Sequence, residues 1–236
     1  MSYQTMISVA DAISTLPYPY PPILLTKHYK GITLNQQGRI VDINPISATI
    51  QATQSLTFHI LLGMIHLRSG AFPGAITATI RPVDYTHGTF HLSDLSYGDW
   101  QDRKAERVQP KCPTHFNISY YRNTYRAFLE DICSEGMGIL VNKTIDPDSR
   151  LRPGVKLLLE FQLAPEHLFI NLKGTIVYQK NVGQQLIKYG LHLLPSTNQK
   201  TTLQAYITQR YDEILNELEQ DYIRFCDPCR VENQCF

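Results

Sequence analysis

The sequence predicts a mainly β protein, made of two small antiparallel β-barrels and closed by a C-terminal α-helix. Three observations lead there. Short apolar runs of strand length fill most of the chain, a 3.6-residue period emerges only near its end, and a segment of the first half answers one in the second.

The strand-like runs are Gly38 to Ala52, Ala75 to Ile80, Gly88 to Leu92, Tyr125 to Leu129, Gly138 to Val141, Val155 to Leu163, Phe169 to Tyr178 and Gln184 to Leu194. Each alternates apolar with polar residues, or is continuously apolar, between turn-forming residues. No helical pattern stands between them, so barrels or sandwiches are expected rather than a doubly wound sheet. From Leu203 the pattern changes. Leu203, Ile207, Ile214, Leu218 and Tyr222 fall on one helical face, Ser196 to Asn198 offer capping side chains, and no Gly or Pro follows until Pro228. One amphipathic helix of about 20 residues is predicted there.

The repeat is faint but ordered. Asp42-Ile43-Asn44-Pro45-Ile46-Ser47-Ala48-Thr49-Ile50 lies on Asp131-Ile132-Cys133-Ser134-Glu135-Gly136-Met137-Gly138-Ile139, with the Asp, the first Ile and the last Ile coinciding. Further on, Thr79-Ile80 answers Thr175-Ile176, and Gly88 and Gly183 each turn into another strand. Two copies of one barrel type would leave this trace. The polar stretch Ser96-Tyr97-Gly98-Asp99-Trp100-Gln101-Asp102 reads as the linker between them. The expected domains are residues 1–98 (a degenerate barrel), 99–200 (a barrel with ligand motifs) and 201–236 (the helix and a cysteine-containing tail).

Bulk properties exclude several function classes. The 236 residues, 43% of them hydrophobic, suffice for two ordinary cores. Charge is balanced at 22 Lys+Arg against 21 Asp+Glu, so no overall field holds duplex DNA or an acidic membrane, and direct DNA binding is not expected. The longest apolar run, Phe58 to Leu67, is interrupted by His59 and His66 and falls well short of the roughly 20 residues of a membrane span. Met1 to Pro22 has no basic opening or apolar core of a secretory signal. Five cysteines, with Cys226, Cys229 and Cys235 crowded at the end, make no disulfide framework, and a cytoplasmic location is expected. The eight histidines are scattered, with no His-x-x-x-His or Cys/His cluster in the barrels, so neither a metal site nor a catalytic residue is assigned.

The chemistry-bearing residues sit just after the linker. Arg103-Lys104-Ala105-Glu106-Arg107 leads into the extended Val108-Gln109-Pro110, and Asp131-Ile132-Cys133-Ser134-Glu135-Gly136-Met137-Gly138 follows about two dozen residues later. Either element alone is common, as a solvated arginine pair or a hairpin turn. In this order, between strands, they resemble the PilZ family, whose signature is Arg-x-x-x-Arg followed by Asp/Asn-x-Ser-x-x-Gly. Arg103 and Arg107 match the first part, and Asp131 and Gly136 the second. Cys133 stands where the family has serine, with Ser134 beside it. Arg152-Pro153-Gly154-Val155 and the strand after it, Leu172 to Tyr178, and Gly190-Leu191-His192 extend the likeness over about residues 99 to 196.

The resemblance implies a bacterial, non-enzymatic receptor for cyclic di-GMP, with no other cofactor, that changes conformation and signals to a protein partner. That partner would be a flagellar motor, pilus or synthase component or a transcription factor. Arg103, Arg107, Asp131, Cys133, Ser134, Gly136 and Tyr178 are the expected ligand residues. Guanidinium forks suit phosphates and the O6/N7 edge of guanine, Asp131 would accept from guanine N–H groups, Gly136 would bring backbone amides close, and Tyr178 would stack on a base. An adaptor that has lost the nucleotide is the alternative, because Cys133 departs from the family and Asp102 is acidic where many members carry another arginine. The first half lacks the arginine motif and resembles the N-terminal domain of flagellar-brake-like PilZ proteins.

Overall fold

The computed structural model describes residues 9–52, 63–84, 89–98, 105–143, 150–163 and 168–232. Strands β1 (Pro22–Tyr29), β2 (Ile32–Ile43), β3 (Ser47–Ala52), β4 (Gly63–Arg68), β5 (Ile76–Asp84) and β6 (Thr89–Tyr97) close one antiparallel barrel in the order β1-β2-β3-β6-β5-β4. Strands β7 (Thr114–Tyr120), β8 (Asn123–Cys133), β9 (Gly136–Asn142), β10 (Lys156–Leu163), β11 (Leu168–Val182) and β12 (Leu186–Leu194) close a second, in the order β7-β8-β9-β12-β11-β10. The two orders are the same topology. Helix α1 (Val9–Ser14) precedes the first barrel and helix α2 (Thr197–Glu232) follows the second.

Alternation drives each closure. In β10, Leu157, Leu159, Phe161 and Leu163 are buried while Lys156, Leu158, Glu160 and Gln162 face out, the period of two that a strand imposes. The first core gathers Leu25, Ile50, Ile65, Leu67, Ile76 and Leu92, with Val9 and Ile13 of α1 packed into it. The second barrel buries Ile118, Leu129, Ile139, Leu159 and Tyr189. The contacts divide the chain into two compact units, the first barrel forming one and the second barrel, with Lys30–Ile32 and α2 as far as Leu215, the other.

The repeat seen in sequence has a structural counterpart at single-residue resolution. In β2 the pairing slips between Ile40 and Asp42, and in β8 it slips between Leu129 and Asp131. Val41 and Glu130 are the extra residues of these bulges, and they occupy the same place in the alignment of Asp42 with Asp131.

Some elements differ from the sequence reading. Gly38 to Ala52 is not one run but a hairpin, because Asn44 accepts from the Ile46 and Ser47 amides through its side chain and closes a turn ahead of β3. Ser96 and Tyr97, expected in the linker, complete β6. Strands β1 and β7 and helix α1 had no distinct signal. In β7 the partly polar run Thr114-His115-Phe116-Asn117-Ile118-Ser119-Tyr120 buries Thr114, Phe116 and Ile118. Helix α2 begins before Leu203 and continues past Pro228 for 36 residues in all. Its polar first turns carry no apolar period, but Ser196 and Gln199 cap it reciprocally, the Gln199 amide bonding Ser196 Oγ and the Ser196 amide bonding Gln199 Oε1. The expected buried stripe is present at Leu203, Ile207, Ile214 and Leu218, and Tyr222 is only half-buried. Side chains of Cys226 and Cys229, and Cys235 altogether, lie outside the described residues, as does the linker from 99 to 104.

Candidate functional site

On the outer face of the second barrel four neighbouring strands present one continuous row. Asp131 of β8 pairs with Gly138 of β9, Gly138 with Gly190 of β12, and Gly190 with Tyr178 of β11. Three strand spacings make this row about 14 Å wide. Its two ends owe their direction to bulges. Leu129 and Ile176 point into the core, so Asp131 and Tyr178, two residues on, would point inward as well in a regular strand. The extra residues Glu130 and Val177 reverse that parity and turn both side chains outward.

The glycines between them make the floor. A Cβ on Gly190 would stand 2.0 Å from Tyr178 Cε1, so the ring lies flat across the bare backbone. A Cβ on Gly138 would stand 3.0 Å from Asp131 Oδ1, and the carboxylate occupies that space instead. A second row lies beside the first, in which Cys133 pairs with Gly136 and Gly136 with His192. Gly136 has no positive φ among the described residues. Its value here is room, since Cys133 Sγ and Arg107 Nη2 approach its missing side chain at 3.4 and 3.7 Å.

Arg107 reaches this floor from the chain before β7. The Val108 amide donates to Ile132 O at 2.9 Å and the Ile132 amide to Val108 O at 3.0 Å, which ties the segment along β8. Arg107 Nη1 then donates to Asp131 Oδ1 at 3.0 Å. Burial on its own would lower the Arg107 pKa, but the Asp131 charge and hydrogen bond, with smaller effects of Cys133 and Tyr178, outweigh it and raise the pKa above its ordinary value. The guanidinium is therefore a permanent cation held by a nearly buried carboxylate.

Arg107, Asp131, Cys133, Gly136 and Tyr178 thus converge on one surface. Cys133 is buried, and Ser134 is partly exposed in the turn between β8 and β9. Arg103 lies outside the described residues. Sequence reasoning did not assign Gly138, Gly190 or His192 to the site. The first two had a signal, a glycine inside a strand, which marks a close approach. His192 Nδ1 donates to Glu135 O at 3.0 Å and braces the turn, and Glu135 also pairs with Lys200 of α2, which lowers the Glu135 pKa through their hydrogen bond and charge. The corresponding row of the first barrel runs Asp42, Thr49, His91. There the glycine places are filled by Thr49 and His91, which share a 3.0 Å hydrogen bond, and no flat floor results.

The PilZ domain family model matches residues 101–209. Solved structures similar to most of this chain include the Bacillus subtilis inhibitor of motility, with 14% identity over 82% of this chain and 96% of that one and a TM-score of 0.44. Others are Escherichia coli YcgR in complex with c-di-GMP (15% identity, 93% of this chain and 99% of that one, TM-score 0.47) and the Klebsiella pneumoniae MrkH–c-di-GMP complex (14%, 86% and 89%, 0.40). No curated protein matched in a separate comparison. Among the described residues, no group of three or more His, Cys, Asp or Glu is placed to hold a metal ion, and no helix is long and apolar enough to cross a membrane.

Proposed function

We propose that this chain is a non-catalytic receptor for cyclic di-GMP and that its PilZ domain binds the ligand on the floor of Gly138 and Gly190. The carrying observation is that the family's motif residues Arg107, Asp131 and Gly136 converge with Tyr178 on one outward face. Arg107 would meet a phosphate or a guanine edge with its remaining donors, and Tyr178 would stack on a base at roughly 1–3 kcal/mol. In this reading Asp131 acts through Arg107. Held by Arg107 and nearly buried, it aims the guanidinium rather than reading guanine itself. Arg103 would supply a second fork from the segment outside the described residues.

Signalling to a protein partner is part of the same proposal. Both segments that flank the site are tied to α2: Glu135 of the turn pairs with Lys200, and Gln109 O accepts from Arg210 Nε at 3.0 Å, two residues after Arg107. Ligand that draws Arg107 and the turn together would act on both anchors of the helix.

Isothermal titration with cyclic di-GMP tests the reading. Micromolar or tighter binding with one ligand per chain is expected, together with a tenfold or greater loss in Arg103→Ala and Arg107→Ala, the worth of about 1.5–3 kcal/mol for a hydrogen bond to a charged group. Absence of heat at high ligand concentration would favour the adaptor reading. Shift of Trp100 fluorescence and protection of residues 99–107 from protease on binding would support the conformational step.

A further inference from the structure

The far end of the second barrel carries an arrangement that the proposed cyclic di-GMP site does not use. Strand β8 runs 11 residues from this end, at Asn123, to Cys133. At about 3.3 Å per residue the two ends are some 30 Å apart. Here β7 and β8 are joined by two residues only, Tyr121 and Arg122, since Tyr120 pairs with Asn123.

Tyr121 takes φ 52°, the left-handed region. A two-residue hairpin turn with positive φ at its first central position ordinarily holds Gly, Asn or Asp there, because a bulky side chain is strained in that conformation. Nothing in the packing requires a tyrosine, whose surface is 89% exposed. The ring stands edge-on to Tyr120, centroids 4.6 Å apart. The two tyrosines line an open groove of about 580 Å³ with Arg152, Gly154 and Lys156. Arg152 is set by a turn whose Val155 amide donates to Arg152 O at 3.1 Å, and Gly154, at φ 89°, has open space where its side chain would be. Among the described residues no acidic side chain lines the groove, and Arg122 adds another exposed cation at the hairpin tip.

Strain retained at an exposed aromatic, beside cations that no described acidic residue pairs, is the pattern of a ligand clamp rather than of folding. We propose that this groove is a second binding site, for a phosphate-bearing nucleotide, either free or as one unit of a single-stranded nucleic acid. A presented tyrosine ring stacks on any base, and guanidinium and ammonium groups at its edge hold the phosphate. A duplex hides its base faces and cannot use the ring. An acidic peptide would satisfy the cations but leave the ring unmatched.

The test uses the full chain and its Arg107→Ala variant, which takes the cyclic di-GMP surface out of play, so that failure of one site is distinguished from failure of the other. Anisotropy of a short fluorescent oligouridylate should report binding that Arg107→Ala leaves intact and that Tyr121→Gly and Arg152→Ala each weaken about tenfold or more. Tyr121→Gly should at the same time raise the melting temperature, because glycine is at ease where tyrosine is strained. Displacement by uridine monophosphate assigns the free nucleotide as the source, and displacement by unlabelled oligonucleotide alone assigns the single strand. Absence of oligouridylate binding, unchanged binding in both groove variants, equal displacement by polyglutamate, or a lower melting temperature for Tyr121→Gly would each overturn the proposal.

Discussion

The 3.0 Å ion pair from Arg107 Nη1 to Asp131 Oδ1 joins a guanidinium that is 25% exposed to a carboxylate that is 8% exposed. The charge that a ligand would meet belongs to Arg107, while Asp131 decides where it points. Asp131→Ala should therefore weaken cyclic di-GMP binding nearly as much as Arg107→Ala, by about 1.5–3 kcal/mol. The double variant should be scarcely worse than either single one, since both remove the same interaction. Additive losses in a titration-based double-mutant cycle would instead give Asp131 a ligand contact of its own.

The glycine floor makes a separate prediction. Gly190→Ala puts a methyl group where the Tyr178 ring lies, and the ring, 38% exposed, can swing outward. Ligand affinity should fall about tenfold with little loss of stability, because the stacking surface moves while the core does not. Gly138→Ala crowds a nearly buried carboxylate and should also cost about 1–2 kcal/mol of stability. Thermal melts read beside the titrations separate the two effects.

Cys133 is buried at 5% exposure beside Gly136. Cys133→Ser should restore the family residue with affinity equal to the parent or tighter by up to about 1 kcal/mol. The hydroxyl has to be desolvated, so stability should fall by about 1 kcal/mol unless it finds a partner. A tenfold or greater loss of affinity would show that the thiol itself is required.

In the first barrel, burial lowers the Lys27 pKa from 10.5 to about 8. The folded state then holds this proton less tightly than the unfolded one does. The fold is penalised while the lysine must be charged, below about pH 8, and is relieved as pH rises from about 8 towards 10.5. Lys27→Met should raise stability near neutral pH by about 1–2 kcal/mol, a figure discounted for solvent screening. The advantage should shrink through that window. Melting curves at both ends of it check the sign, and a variant less stable at neutral pH would contradict the prediction.

The sequence alone determined the elements whose signal is local. Period-two runs between turn residues specify β10, β11 and β12, a 3.6-residue stripe from Leu203 specifies α2, and the order of Arg107, Asp131 and Gly136 carries the likeness to the PilZ family, whose model matches residues 101–209. Strand β7 escaped because burying Thr114, Phe116 and Ile118 among Asn, Ser and His depends on what packs above them. Tertiary structure alone decided the face on which the site is built. A bulge is a property of two strands, so nothing in Leu129-Glu130-Asp131 or Ile176-Val177-Tyr178 announces that Glu130 and Val177 are skipped. Residues far apart in the chain become one row only when β8, β9, β12 and β11 settle in register, and that register follows from closing the barrel over its core.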